Sequence, residues 1–430
     1  MVEIFEEEKR SSLSRLPPKL QEDFFEYAAE AANKTIREVI LERDRILKIK
    51  SMFKFRDIAE ILGKDLRVAA VDGSSSPAFS DRLGYRIGVY AACYMVFDGG
   101  EIISDKDGEN MECGYIMVNQ VGSILQTKKI LSLLMTAKER EMALRCLEKY
   151  NVDLLLVDGS FYGFRTRCSE VKKISLTDMG LKGYRTGWDL IRHVLELTRE
   201  LIKTGKAVGV IKRLRTCAID GWLLSRRWRL EDMLNRNDRS VLCTLLPYRK
   251  YFDYRDLIGD KWSYLHYNSL VTWYSEMISR RKIKVDSGLK DNLSEAMEYV
   301  EKKLKTQIRT DLSPPDLDSN TSDRLGKELL EEITSRPRLY ARLSQYAAPI
   351  CLELGEGLDV DTVLAYALTS ANKVTGIPFP IDLVDEMISI EKDTAREFAE
   401  EIEARLLLDP RISSEEVEAR LEPLNPQKEG

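Results

Sequence analysis

The chain has 430 residues, 43% hydrophobic and 32% charged, with a net charge of -5. That is enough for two average domains, or for one large domain with insertions. No run of about 18 uninterrupted apolar residues exists, which excludes a membrane helix. The acidic start MVEIFEEEKR has no apolar core segment and is not a secretory signal. These features lead to the expectation of a cytoplasmic protein. The acidic balance argues against a protein that coats nucleic acid generally, but a local basic groove can still bind phosphate.

In chain order, apolar positions recur at helical spacing from 18 to 50 (Leu20, Phe24, Phe25, Ile36, Ile40), predicting one long helix or two consecutive ones. A packing arm or dimerisation element is the role expected of it. A short helix is predicted over 54–62, ending at Gly63. Then the texture changes. Arg67–Val71 is a short apolar strand, 84–97 a long one rich in Tyr, Val and Ile, and Ile102–Ile103 and Tyr115–Val118 suggest two more. Helical spacing returns over 127–150. Val152–Val157 reads as a buried strand, 187–203 as a helix, Ala207–Ile211 as a strand ending at Lys212, and Val241–Leu246 as a further strand. The strands near 152 and 207 are joined by a helical crossover and should be parallel. Those from 67 to 118 look like an antiparallel meander. Beyond 286 helices are predicted over 324–335, 337–354, 359–374 and 381–408, with a polar, Pro-containing linker at 311–323 and a break at GIPFP. The pattern is α/β: a mixed sheet flanked by helices, with helical N- and C-terminal additions. The divisions it suggests are an N-terminal helical arm (1–65), a core (66–285), a helical region completing core and site (286–395) and a C-terminal tail (396–430).

Two strands end alike, VAAVDGSSS with Asp72 and LLLVDGSFYG with Asp158. A carboxylate at such an end emerges where ligands bind in α/β sheets, and the following Gly lets the backbone turn tightly. Either copy alone is more often an ordinary turn; the repetition shifts that balance. A third acid lies in the preceding helix. Glu141 falls on the stripe of Ile130, Leu134, Ala137 and Leu144, whereas Glu139 points about 160° away. An acid on a sheet-facing stripe needs a partner or a metal; the alternative is a Glu at the stripe's edge, solvated or paired with Arg145. Three convergent carboxylates suit Mg²⁺ or Mn²⁺ and hydrolysis of a phosphodiester. Lys212 would oppose developing phosphoryl charge, unless it is a solvated lysine at a strand end.

At this point the chain resembles the NurA nucleases, partners of the HerA translocase. The similarity lies in VAAVDGSSS, in Glu141 seventeen positions before Asp158, in LLLVDGS, in VGVIK ending at Lys212, and in the late GIPFPIDLVD, in that order over roughly 66–395. The resemblance implies an RNase H-like core, a homodimer, and Mn²⁺ or Mg²⁺ held by Asp72, Glu141 and Asp158. It also implies single- and double-stranded DNA as substrates, cut by a 5′ to 3′ exonuclease with endonuclease activity, and a HerA-like hexameric ATPase as partner in 5′ end resection. The family's late motif resembles G-Y-P-Y-P-L-x-x-A-H, whose His is a metal ligand; in this register Asp385 takes that place.

Other features carry less. The seven Cys show no CxxC pair, so they read as reduced, mostly packed thiols. The two His, His193 on an apolar helix and His266 beside tyrosines, read as packed side chains. Basic stretches at 224–229 and 279–286 are either phosphate contacts or solvated faces. No G-x-S-x-G elbow or P-loop is present, so serine hydrolysis and ATP-driven motion within this chain are excluded. Two further readings stay open: a degenerate DNA-binding scaffold, and an RNase H-like enzyme acting on RNA.

Overall fold

The computed structural model describes residues 12–59, 66–104, 108–179, 181, 183–227, 233–279, 293–316 and 319–425. They fall into two compact units, 1–52 and 53–430. The first carries one continuous helix, α1 (Pro18–Lys48), entered through Pro18 at a position where no amide hydrogen bond is lost. Leu20, Phe24, Phe25, Ile36 and Ile40 along it are exposed.

In the second unit the strands are β1 (Arg56–Asp57), β2 (Val68–Ser75), β3 (Ser80–Asp81), β4 (Tyr85–Asp98), β5 (Glu101–Ile102), β6 (Met111–Asn119), β7 (Leu154–Asp158), β8 (Ala207–Ile211), β9 (Lys250–Asp253), β10 (Arg338–Ala341) and β11 (Ile350–Leu354). The helices are α2 (Ile124–Lys149), α3 (Gly187–Lys203), α4 (Ala218–Arg227), α5 (Asp238–Leu245), α6 (Tyr254–Ile258), α7 (Tyr264–Ser279), α8 (Leu293–Leu312), α9 (Ser319–Thr334), α10 (Val360–Thr369), α11 (Phe379–Ile388), α12 (Thr394–Leu407) and α13 (Ser414–Leu421).

All eleven strands join one mixed sheet in the order β1-β9-β10-β11-β8-β7-β2-β4-β3, with β5 and β6 also on β4. β2, β7 and β8 are parallel, while β4 and β6 form the antiparallel meander expected from the turns. This is the RNase H-like arrangement. Side chains alternate along each strand, so Val68, Ala70, Leu154, Leu156, Val208 and Val210 share one face. They form a core with Val363, Leu364, Ile381 and Val384 of α10 and α11. The opposite face meets α2, where a Cβ on Gly73 would lie 3.1 Å from Met135. Residues 396–430, expected as a tail, hold α13 and most of α12, which bury Ala399, Val417 and Leu421 against Ile87 of β4.

Three expectations change. Residues 54–59 are not helical but contain β1, and 60–62 lie outside the described residues. The apolar run Val241–Leu246 belongs mostly to α5: Asn237 caps it by accepting from Ser240 N, and a six-residue apolar run cannot by itself distinguish strand from buried helix turn. Residues 337–354 form β10 and β11 rather than a helix. LYA and ICLEL are buried on both faces, so no alternation marks them as strands, and Pro337 and Pro349 sit just before each strand, where a missing N–H costs no ladder bond. Among the described residues no helix is long and apolar enough to cross a membrane. None of the seven cysteines forms a disulfide, and Cys93, Cys146, Cys168 and Cys351 are buried as the apolar neighbours predict.

Candidate metal centre

The alternation that buries Val68 and Ala70 carries Asp72 onto the same face. It does the same for Asp158 after Leu154 and Leu156, and for Lys212 after Val208 and Val210. The parallel pairing of β2 with β7 ends at Val71 opposite Val157, so Asp72 and Asp158 follow side by side. β2 itself does not end at Asp72: its pairing with β4 continues to Ser75. α11 crosses this face and brings Asp385. One carboxylate oxygen from each of Asp72, Asp158 and Asp385 lies within 4.8 Å of the others. Ser74 Oγ accepts from Ile390 N at 3.1 Å, tying the chain after α11 to β2.

The turn after Asp158 is fixed from three sides. Gly159 has φ +97°, and its N–H donates to Val210 O. A side chain on Gly209 would meet Gly159 O at 2.6 Å, so that neighbour must also be bare. Ser160 Oγ donates to Glu353 Oε2 (2.7 Å) and accepts from Arg338 Nη2 (2.9 Å), and Phe161 N donates to the same carboxylate oxygen. Arg338 grips Glu353 Oε1 through Nε and Nη2, and Glu353 is wholly buried. Removing one partner of such a pair leaves a buried charge uncompensated. Arg338→Met should therefore cost about 3–5 kcal/mol in urea unfolding; a loss below about 1 kcal/mol would show that the pair does not brace the fold.

The acid that α2 presents to the sheet is Glu139. It is 4% exposed, and its Oε2 would lie 3.3 Å from a Cβ on Gly73, so the missing side chain of Gly73 makes room for it. Leu131, Met135 and Glu139 follow at i, i+4, i+8 and line this face. Glu139 Oε1 lies 2.8 Å from Nη1 of the buried Arg140, an electrostatic contact whose angle leaves that nitrogen without a hydrogen bond. Glu141, expected on the sheet-facing stripe, is turned away. It pairs with Lys138 at 2.7 Å, and His193 Nε2 lies 3.9 Å from it. The expectation failed because Glu141 shares its side of α2 with Lys138 and Arg145, a partly exposed charged face, whereas the neighbours of Glu139 one turn away, Thr136, Met142 and Ala143, are buried.

Crowding of acids sets the electrostatics. Burial, then Asp158, Glu139 and Asp385, push the Asp72 carboxyl up to about 9. Burial pushes Glu139 up to about 7, with Arg140 opposing. Asp158 is also raised by burial, against the pull of Lys212. Lys212 Nζ contacts Asp158 Oδ2 (3.0 Å) and Asp385 Oδ2 (2.6 Å); burial disfavours its charge, but the two carboxylates outweigh this and raise it. The donor set is all carboxylate oxygen around a single ammonium. That suits a hard divalent cation, and the repulsion among these acids is what such a cation relieves.

His266 is buried, accepts or donates at Ser263 Oγ (2.8 Å), and is held down to about 4 by burial, as a packed histidine should be. His193 bonds Tyr184 Oη at 2.7 Å. Of the two basic stretches, residues 228–229 and 280–286 lie outside the described residues; Arg226 lies over the Trp222 ring.

An RNase H-like sheet whose central parallel strands deliver convergent carboxylates defines the class of metal-dependent nucleases. The NurA domain model matches residues 66–390, and the chain belongs to the NurA family. Among solved structures, the NurA nuclease from Sulfolobus solfataricus is similar over 90% of this chain and 99% of its own, at 14% identity and a TM-score of 0.52. A NurA bound to dAMP and manganese is similar over 93% and 99%, at 11% identity and a TM-score of 0.46. Endonuclease V from Ciona intestinalis, in complex with inosine-containing DNA, is similar over 86% and 99%, at 11% identity and a TM-score of 0.28. No curated protein matches the chain.

Proposed function

We propose that this protein is a Mn²⁺- or Mg²⁺-dependent deoxyribonuclease that hydrolyses phosphodiester bonds, acting in 5′ end resection as a homodimer with a HerA-type hexameric ATPase. The observation that carries the nuclease reading is the meeting of Asp72, Asp158 and Asp385 within 4.8 Å, with Glu139 behind Gly73. Family membership supports the partner and the pathway. Asp72, Asp158 and Asp385 would hold the metal, and Glu139 would complete the set in the place expected of Glu141. A divalent cation held there polarises a phosphoryl oxygen and acidifies a bound water. The chain's own contributions are separate. The braced turn at Gly159 holds Asp158 at a fixed angle. Lys212, on the same face beside Asp158 and Asp385, would meet the non-bridging oxygens of the scissile phosphate. Asp385, in the place of a neutral His, makes the set more anionic.

The test is incubation of the full chain with 5′-labelled single- and double-stranded DNA in Mn²⁺, Mg²⁺ or EDTA. Cleavage in metal and none in EDTA is expected. Intact DNA in every metal would overturn the reading, and cleavage of RNA alone would redirect it to RNA.

The raised carboxyls set a pH dependence. Asp72, at about 9, and Glu139, at about 7, bind protons in the folded metal-free chain that they lose near pH 4 when unfolded. Metal-free stability should therefore fall as pH rises from about 4 through 7 toward 9. A cation must displace those protons, so Mn²⁺ affinity should rise across pH 6 to 9, by up to roughly tenfold per unit for each proton displaced. Calorimetry in buffers of different ionisation enthalpy measures the proton release; an affinity flat with pH would mean that both acids are already ionised.

A further inference from the structure

Most arginines of the second unit are spoken for: Arg67, Arg86, Arg165, Arg199, Arg255 and Arg338 each face a carboxylate. The loop that leaves β8 departs from this. After Lys212 it carries Arg213 and Arg215, both exposed and neither paired with an acid among the described residues. Arg213 is near enough to Asp158 to act on its charge. Two guanidiniums left without a carboxylate beside a cluster of carboxylates are available for an anion that comes from outside.

The neighbouring segments are anchored to the same place. Arg239 donates from Nη1 to Lys212 O (2.6 Å) and from Nε to Pro349 O (2.8 Å), holding the chain before β11 against the Lys212 loop. That chain exposes Tyr346, 76% accessible, while Ser344 Oγ fixes its backbone by accepting from Tyr346 N. Ser344 also donates to Lys373 O, joining this loop to the turn before α11. A Cβ on Gly376 of that turn would lie 2.9 Å from Ala347, so the two loops touch. The turn is tied in its own right to Asp382, one helical turn before Asp385, through Asn372 and Thr375. Lys373 is exposed on it and has no acidic partner among the described residues. The result is a rim of three unpaired cations and one exposed aromatic ring on rigidly held loops that border Lys212 and Asp385.

We propose that Arg213, Arg215, Lys373 and Tyr346 hold a single DNA strand beside the carboxylate cluster, the cations on its phosphates and one base stacked on Tyr346. Phosphates satisfy unpaired guanidiniums and an ammonium. A base satisfies a ring that no side chain among the described residues covers, and stacking needs the base unpaired. The proposal rests on the nuclease reading for its substrate, but it does not require cleavage.

Binding can therefore be measured by itself, as anisotropy of a labelled oligo-dT with the full chain in EDTA at several salt concentrations. The variant Arg213→Gln/Arg215→Gln should weaken binding at least tenfold and make the slope of log affinity against log salt shallower by about 1.4, at about 0.7 per phosphate contact on a single strand. Tyr346→Ala should weaken it roughly 5- to 100-fold with no change in salt slope, and Tyr346→Phe should keep it. All three unchanged would overturn the proposal. So would a loss confined to duplex DNA, which would place a double-stranded backbone on the rim, or a changed oligomeric state in light scattering with DNA affinity intact, which would place protein there. Failure of the nuclease reading would register differently, as oligonucleotide binding that responds to these variants in a protein that cleaves nothing.

Discussion

Asp72→Asn should abolish metal-dependent DNA cleavage, by about 10³-fold or more, while making the metal-free protein more stable. The two halves have one cause. Asp72 is 6% exposed, beside Asp158, Glu139 and Asp385. Its charge is useful only when a cation is present, and without one it is a buried like charge whose proton is held up to about 9. The amide keeps the shape and can still accept from Gly73 N, which Asp72 Oδ1 does at 2.7 Å. It removes the repulsion, and it removes a metal ligand. At pH 8 in EDTA the variant should be more stable in urea unfolding, because the folded natural chain must take up a proton at Asp72 that the amide never needs. Added Mn²⁺ should raise the melting temperature of the natural chain and leave that of the variant nearly unmoved. An active Asp72→Asn enzyme would remove this residue from the centre. An inactive variant that is also less stable would show Asp72 to be structural, because stability exchanged for function is the mark of a site residue.

How much of this was legible in the sequence depended on periodicity. Along β2, β7 and β8 the period is two and both neighbours are apolar. Val68-Ala70-Asp72, Leu154-Leu156-Asp158 and Val208-Val210-Lys212 can therefore be placed on one face before any coordinates exist. The antiparallel meander of β4 and β6 and the helix α3 were equally visible, and in the fold a capping box of Thr186 and Asp189 starts that helix. The acid on α2 was not. The stripe of Ile130, Leu134, Ala137 and Leu144 drew Glu141 inward, but its neighbours one turn away, Lys138 and Arg145, belong to a partly exposed charged face, whereas Glu139 lies among buried residues. β10 and β11 were hidden because runs of four and five residues, with Arg338 and Glu353 among them, cannot by themselves be told from turns of a buried helix. With them went Arg338 and Glu353, a contact between strands that only register brings together. Asp385 lies far from Asp72 in the chain, and only its place in a family motif, not its spacing, pointed to it. Arg213 and Arg215 look like any charged loop until the absence of partners is seen.

The choice between the two α2 acids has the other large expected effect, because the two residues are only two positions and about half a turn apart yet differ in burial and partners. Glu139→Gln should lower the cleavage rate by about 10²–10³-fold, the scale on which one preorganised charged group in a closed site is felt. Its Oε2 lies against Gly73, and its Oε1 lies 2.8 Å from Arg140 Nη1. The carboxylate is buried and cannot swing to solvent, and its charge acts on Asp72 and Asp158. Glu141→Gln should stay within about threefold of the natural enzyme and cost no more than about 0.5 kcal/mol, the worth of a partly exposed pair one turn apart on a helix, here with Lys138. Both variants keep the volume of the side chain, so neither should disturb the packing of α2. Mn²⁺ affinity separates ligand loss from a general loss of rate: it should fall in Glu139→Gln and hold in Glu141→Gln. The reverse pattern, an inert Glu139→Gln and a silenced Glu141→Gln, would make Glu141 the acid that α2 supplies and overturn the assignment of Glu139.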